Sequence, residues 1–456
     1  GKLDKKALPD PLLSDLSTQA YVEPQTATEK SIAQIWQTLL EIEQIGIHHD
    51  FFDLGGHSLL VTRVISEIRN QLSLEISIRD LFQYTTVASL AAFIDTQEQP
   101  TDLPRLVRQE RPAHIPLSYA QERLWFIDQL QGSTHYHMPS ILKIRGALDF
   151  EIFERSFQTI INRHELLRTV IKEEQGQNFQ AILPPDQWTL QVIQDRDLFD
   201  EDRLNAFVDE WVNRPFQLSE EHPIRVALIQ MNEEADYLFV ILLHHIASDG
   251  WSNSILIDEF AQLYRAFKKG AANPLTALPI QYADYAIWQR KNYDKVALEK
   301  QLDYWKTQLQ EVPPLELTLD FPRPAIQSIE GDNRQIQLSQ SLSQGLIELA
   351  NERDLTPFMV FLAACKTLLY RHSGQQDICI GAPIAGRTLK EVESLIGFFI
   401  NTLALRSQLS PELTFDDLLQ SVKQTTLDAY ANQMVPFEQI VEVLGVERDL
   451  SRTPIF

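Results

Sequence analysis

Apolar positions organise the chain from Thr28 onward. Ile32, Ile35, Trp36, Leu39 and Leu40 fall at i, i+3, i+4, i+7 and i+8, one face of an amphipathic helix. The turn signals Asp53-Leu54-Gly55-Gly56 follow, and a second helix is predicted to begin at Ser58, with Leu60, Val64, Ile65 and Ile68 on its apolar side. A last short helix, Val87 to Ile94, closes a small helical bundle near Thr96. Gln97 to His114 is rich in Gln, Pro and charge, has no apolar face and reads as a linker. Residues 1–25 contain proline and no sustained period, as expected of a tail.

Beyond the linker the pattern alternates. Phe153, Phe157, Ile160 and Ile161 mark a helix that ends toward Arg163-His164-Glu165. Tyr237 to Leu243 is a continuous apolar run of strand length, as in strands buried on both faces, and it runs straight into His244-His245. Ile257, Phe260, Leu263, Tyr264 and Phe267 then define another helix. A second half begins near Gln335. Its Thr356-Pro357 pair suits the N-cap and first turn of a helix that continues to Tyr370 and stops at Gly374. A strand is predicted at Asp377–Ile380. Two α/β halves of similar make-up are expected.

Composition narrows the function class. With 44% apolar and 23% charged residues, the 456-residue chain is that of a folded globular protein. Its formal charge of −23 argues against a nucleic-acid partner. Cys365 and Cys379 lack metal-ligand spacing and suggest no disulfide framework, so a reducing compartment is expected. No run of eighteen apolar residues and no signal-like leader is present, and a soluble cytoplasmic protein without a membrane partner is expected.

Two places carry candidate chemistry. Ser58, at a helix start after a Gly-Gly turn, is flanked by free backbone N–H groups and by the positive end of the helix dipole, which favour a phosphodiester there. A serine in that position more often simply caps its helix. At the strand end, His244 and His245 point to opposite sides, so one can face a cavity while the other packs. A histidine pair is more often structural than catalytic, and a metal site would need further ligands that the sequence does not supply; no metal is expected.

The longer strings around these residues decide between the alternatives. Asp50-Phe51-Phe52-Asp53-Leu54-Gly55-Gly56-His57-Ser58-Leu59-Leu60 resembles the attachment motif of peptidyl carrier domains, over roughly Ala27 to Asp95. The resemblance implies a 4′-phosphopantetheine on Ser58 and a phosphopantetheinyl transferase as partner. His57 favours the peptidyl class, and a carrier that feeds a condensation domain. Gly1-Lys2-Leu3-Asp4-Lys5-Lys6-Ala7-Leu8-Pro9 resembles the end of an amino-acid adenylation domain, whose terminal catalytic lysine Lys2 matches; no activity is assigned to it here. An adenylation domain is thus an expected upstream partner.

His244-His245-Ile246-Ala247-Ser248-Asp249-Gly250 matches the HHxxxDG motif of nonribosomal peptide synthetase condensation domains, a fold shared with chloramphenicol acetyltransferase. Ser118–Phe126, Arg163–Thr169, Tyr282–Trp288, Ile396–Thr402, Asn432–Glu438 and Arg448–Pro454 resemble that family's other motifs in the right order. The implied architecture is an all-α four-helix carrier bundle followed by an α/β condensation domain with two chloramphenicol acetyltransferase-like lobes. The expected divisions are 1–25 adenylation tail and linker, 26–96 carrier, 97–114 linker, 115–290 first lobe and 291–456 second lobe. The chain stops at Phe456, just after the seventh motif, so an incomplete second lobe with exposed apolar surface is expected.

By the same resemblance, the carrier presents a donor thioester of the all-L type. The condensation domain joins it to the α-amine of an acceptor on a downstream carrier. His245 is the expected catalytic base or positioning group, with the Gly250 N–H stabilising the oxyanion. His244 and Asp249 are expected to be structural, with Arg387 as the partner of Asp249. Trp125, Phe126, Trp288 and Phe437 are expected in the core, and Arg168 and Asp284 in ion pairs. The rival readings are a CoA-dependent acyltransferase or an epimerase of the same fold, and a carrier and docking module without catalysis.

Overall fold

The computed structural model describes residues 21–456 apart from 57, 73, 75, 77, 97–104, 147, 234, 235, 293, 294, 329, 330, 447, 448 and 450. The adenylation-like tail with Lys2 and the carrier-motif residue His57 lie outside the described residues.

Helix α1 (Ala27–Leu40) starts at a capping box in which Thr26 and Glu29 satisfy each other's backbone donors, and it buries Ile32, Ala33, Ile35 and Trp36. Helix α2 (Ser58–Leu72) buries Val61, Val64, Ile65 and Ile68 against it. Helix α3 (Ile78–Gln83) spans six residues, too short for a periodic signal to announce it. Helix α4 (Val87–Asp95) has its own capping box from Thr86 and Ser89. Aromatic contacts fill the bundle, with Trp36 5.0 Å from Phe51 and Phe52 stacked on Phe82 at 4.7 Å between ring centroids.

The second part of the expected linker packs. Leu106 is buried among Leu117, Leu124 and Trp125. The Gln109 N–H donates to Asp284 at 2.9 Å, and Arg111 pairs with both Glu165 and Asp284.

In the first lobe, β1 (Ile115–Pro116) pairs with the hairpin β3 (Thr169–Glu174) and β4 (Gln177–Ile182). Helix α5 (Tyr119–Gln131) lies between β1 and β2 in sequence. A four-stranded sheet has the order β2-β7-β6-β5, from β2 (His137–Ile144), β5 (Gln191–Ile193), β6 (Ile224–Gln230) and β7 (Tyr237–His244). Its central strands β6 and β7 are buried on both faces, which explains the unbroken apolar run in β7. Phe239 and Ile241 meet helices α6 (Phe150–Arg163) and α8 (Gly250–Lys268) on one side. Val240 and Leu242 face the other core, to which α7 (Glu201–Asn213) and α9 (Tyr282–Asn292) contribute.

The second lobe holds α10 (Lys295–Gln308), α11 (Gln340–Glu352), α12 (Pro357–Ser373), the antiparallel pair β8 (Asp377–Ile384) and β9 (Asn401–Gln408), α13 (Phe415–Ala431) and α14 (Phe437–Leu444). Phe321 and Ile336 in this lobe stand 82% and 86% exposed. The segment between β8 and β9 crosses back to the first lobe. Val392, Leu395, Phe398 and Phe399 join the core of Trp125, Tyr282 and Trp288, while Ile396 joins that of Phe153 and Phe239.

Trp125, Trp288 and Phe437 are buried as expected, but Phe126 is 52% exposed. The buried stripe of α5 runs through Gln121, Leu124 and Trp125, at i, i+3 and i+4, and Phe126, one step further around the helix, falls outside it.

Candidate functional site

The two histidines leave β7 with different jobs. His244, the last strand residue, is fully buried opposite His137 of β2. Its Nδ1 accepts the Ile246 backbone N–H at 3.0 Å, so in the neutral ring Nε2 carries the proton. Nε2 lies 2.8 Å from Ser133 Oγ, and the Ser133 hydroxyl in turn donates to the Asp128 carboxylate. Burial takes the His244 pKa down to about 3, with His137, His245 and His135 adding to the effect. His244 is therefore a neutral, fixed strut. Ser133 and Asp128 sit outside every motif, and nothing in their local sequence announces them.

His245 opens the 3₁₀ turn His245–Ala247 and is partly buried. Its Nδ1 lies 3.0 Å from the Ser248 carbonyl oxygen, an acceptor only, so Nδ1 carries the proton and Nε2 is the basic position. The ring meets Phe398 and Tyr136 edge-on at 5.5 and 6.3 Å. Burial lowers its pKa, opposed by the Ser248 carbonyl and the Asp249 charge. A neutral imidazole at pH 7 follows.

Asp249 caps α8, and its carboxylate is saturated. Oδ1 accepts from the Ser252 N–H at 2.9 Å, the Ser252 hydroxyl at 2.7 Å and Arg387 Nη2 at 3.0 Å. Oδ2 accepts from Arg387 at 3.1 Å and the Phe399 N–H at 3.3 Å. On Arg387, Nη1 donates to the Val392 and Leu395 carbonyls at 2.5 and 2.8 Å, while the buried Nε has no hydrogen-bond partner among the described residues. Its guanidinium carbon lies 4.2 Å from the centroid of the Phe399 ring. Burial pushes the Arg387 pKa down and Asp249 opposes that. The preceding Gly386 has φ +63°, and a Cβ there would lie 1.9 Å from the Phe399 carbonyl oxygen, so the backbone can only approach this closely at a glycine.

Gly250 begins α8, where backbone N–H groups have no partner within the helix. A Cβ on Gly250 would meet nothing within 4 Å, so open space adjoins that end of the helix. Among the other motif residues, the Tyr282 hydroxyl donates to the Phe398 carbonyl at 2.6 Å and lies 2.8 Å from Ser118 Oγ. Asp284 pairs with Arg111, whereas Arg168 donates to the Leu183 carbonyl.

Ser58 starts the fifteen-residue helix α2. Gly55 turns the chain at φ +94°, and a Cβ on Gly56 would lie 2.3 Å from the Phe51 ring, so the turn closes directly over the bundle core. The helix start suits an anionic phosphopantetheine ester on chemical grounds. Next to the bundle, a cavity of about 260 Å³ is lined by Ile78 of α3 together with Ala382, Ile384, Gly386, Thr388 and Tyr430 of the second lobe. A smaller cavity of about 50 Å³ shares Gly386 and Thr388 with it and reaches Phe398, the ring against His245.

Residues 112–456 match the condensation domain family and residues 30–94 the phosphopantetheine attachment site family. The whole chain aligns at 44% identity with one of the linear gramicidin synthase proteins of Brevibacillus parabrevis and at 38% with bacitracin synthase 2 of Bacillus licheniformis. It spans only 6% and 17% of those proteins. Among solved structures, the X-domain in complex with OxyB from teicoplanin biosynthesis matches 78% of this chain and 79% of its own, with TM-score 0.72 and 27% identity. The first condensation domain of the calcium-dependent antibiotic synthetase covers 73% of this chain and 78% of its own, with TM-score 0.60 and 22% identity, and speaks for the fold. No described helix is long and apolar enough to cross a membrane.

Proposed function

Because this chain belongs to the condensation domain family and carries a phosphopantetheine attachment domain ahead of it, we propose that it is the carrier–condensation part of a nonribosomal peptide synthetase. In this reading Ser58 is the attachment residue. A phosphopantetheine on it supplies a terminal thiol that holds the donor acyl group as a thioester. The upstream partner is an adenylation domain, the downstream partner an acceptor carrier, and a phosphopantetheinyl transferase loads Ser58.

The observation that supports the catalytic part is the hydrogen bond from His245 Nδ1 to the Ser248 carbonyl, which leaves Nε2 as the basic position of the ring. The acceptor amine attacks the thioester carbonyl carbon, the C–N bond forms, and the C–S bond breaks. His245 Nε2 takes the amine proton and returns it to the leaving sulfur. A model α-amine has a pKa near 8, so part of it is already neutral at pH 7, and a low-pKa imidazole suffices to orient it and remove its proton as the bond forms. The Gly250 N–H, at the positive end of α8, donates to the carbonyl oxygen as charge develops on it. Asp249 and Arg387 hold this loop and touch no reacting atom. Positioning of two tethered reactants supplies much of the acceleration, because thioesters are already activated.

The test has two stages. Intact mass after incubation with a phosphopantetheinyl transferase and CoA should gain one phosphopantetheine in the wild type and none in Ser58→Ala. Single-turnover transfer of a donor acyl group to an aminoacylated acceptor carrier should then collapse in His245→Ala. Loading without any transfer in the wild type would support the rival reading of a docking module.

A further inference from the structure

We propose that the turn Lys390–Glu393 is a charge-coded docking face through which this condensation domain selects its own carrier, read by Arg63 and Glu67 of α2. The inference rests on the carrier reading above. Arg63 and Glu67 stand one helical turn apart on the same face of α2, the helix that begins at Ser58. Across from them, Lys390 and Glu393 stand at either end of a 3₁₀ turn. The pairs cross in sign: Arg63 Nε lies 3.2 Å from a Glu393 carboxylate oxygen, and Lys390 Nζ pairs with the Glu67 carboxylate. A third, longer contact joins Arg79 of α3 to Asp428 of α13 at 3.9 Å.

Both carboxylates in the crossed pairs are largely shielded, with Glu67 at 16% and Glu393 at 18% side-chain exposure. Burial pushes the Glu393 carboxyl up, and Arg63 opposes that shift. A carrier with a neutral or acidic residue at position 63 would leave Glu393 desolvated without a partner, and such a penalty is how an interface rejects the wrong partner. An isolated exposed ion pair would discriminate little.

The face is also rigidly connected to the site. The Glu393 carbonyl accepts the Trp251 indole N–H at 2.9 Å, next to Gly250. The Val392 and Leu395 carbonyls take Arg387 Nη1, whose other nitrogen holds Asp249. The helix that begins at the attachment residue thus rests on the segment that braces the catalytic loop.

A charge swap in the full chain tests this. The variants are Arg63→Glu, Glu393→Arg and the double swap, each read by hydrogen exchange of residues 390–393 in the unloaded protein. Each is also read by single-turnover transfer from loaded Ser58 to a free aminoacyl-pantetheine. Each single reversal should slow transfer about five- to tenfold and speed exchange at 390–393, and the double swap should return both to within about twofold of wild type. Thermal melts of the single variants that match the wild type establish that they fold. Wild-type exchange and transfer in both single variants, or no recovery in the double, overturns the docking face while leaving Ser58 loading intact. Failure of wild-type loading, with the exchange pattern as expected, instead overturns the carrier reading and leaves the contact standing.

Discussion

Arg387 Nη2 sits 3.0 and 3.1 Å from the two carboxylate oxygens of Asp249, and both side chains are almost completely shielded from water. The arginine comes from the crossing segment of the second lobe and the aspartate from the cap of α8, so the pair joins the two lobes directly behind His245. Every remaining acceptor position on Asp249 is filled by Ser252 or Phe399.

Removing one member of such a pair leaves a buried charge uncompensated. Arg387→Ala is expected to cost about 3–5 kcal/mol in denaturant unfolding. Asp249→Asn should be less damaging, because its oxygen still caps the helix, yet it should lower transfer by loosening the loop. Asp249→Asn with wild-type stability and wild-type transfer would remove the pair from any role at the site.

His245→Ala should reduce single-turnover transfer by about 10²–10⁴-fold with little change in melting temperature, since its ring is only partly buried. The proposed mechanism uses the neutral ring. Burial holds its pKa below the ordinary 6.5, so the ratio of the wild-type rate to the His245→Ala rate, in which titration of the acceptor amine cancels, should stay level through pH 7 and fall only as pH drops through that lowered value. An acid limb above 6.5 in that ratio would contradict this sign.

Gly250→Ala separates space from stability. The added methyl meets no protein atom, and alanine is well tolerated at the first turn of a helix, so the fold should be unchanged. Transfer should nonetheless drop about tenfold or more, because the proposed mechanism uses the Gly250 N–H as a transition-state donor and the methyl enters its adjoining space. Unchanged kinetics in a folded Gly250→Ala protein would place the reacting carbonyl elsewhere.

Lys366 of α12 gives a stability signature independent of catalysis. It is fully buried, donates to the Leu405 carbonyl at 2.8 Å and to Ser407 Oγ at 2.6 Å, and burial lowers its pKa to about 8. The unfolded chain keeps the ordinary value near 10.4 and so binds more protons between roughly pH 8 and 10.4. This group's contribution to stability therefore rises with pH across that window. Urea midpoints for wild type and Lys366→Met from pH 7.5 to 10 should show the rise in the wild type and its loss in the variant. Parallel curves would mean that the amine is neutral in both states or charged in both.

Much of this molecule was legible without coordinates. Helix α1 follows from the spacing of Ile32, Ile35, Trp36, Leu39 and Leu40, and α12 from Thr356-Pro357 at one end and Gly374 at the other. Strand β7 follows from an apolar run that only a doubly covered strand needs. These are local consequences of periodicity, capping and burial, carried by contiguous residues. The family resemblance was legible for the same reason, since each motif is a short contiguous string.

Tertiary structure alone decided the rest. Phe126 could not be told from Trp125 until the face of α5 was fixed. Lys366 carries an ordinary cation in the sequence and becomes a buried donor only because β9 lies across it. Ser133 and Asp128 support His244 from more than a hundred residues away, and Lys390 and Glu393 meet Glu67 and Arg63 from more than three hundred. Such partnerships depend on how distant segments pack, and no local pattern encodes them, because a hydrogen bond or ion pair is set by distance in space and not by spacing along the chain.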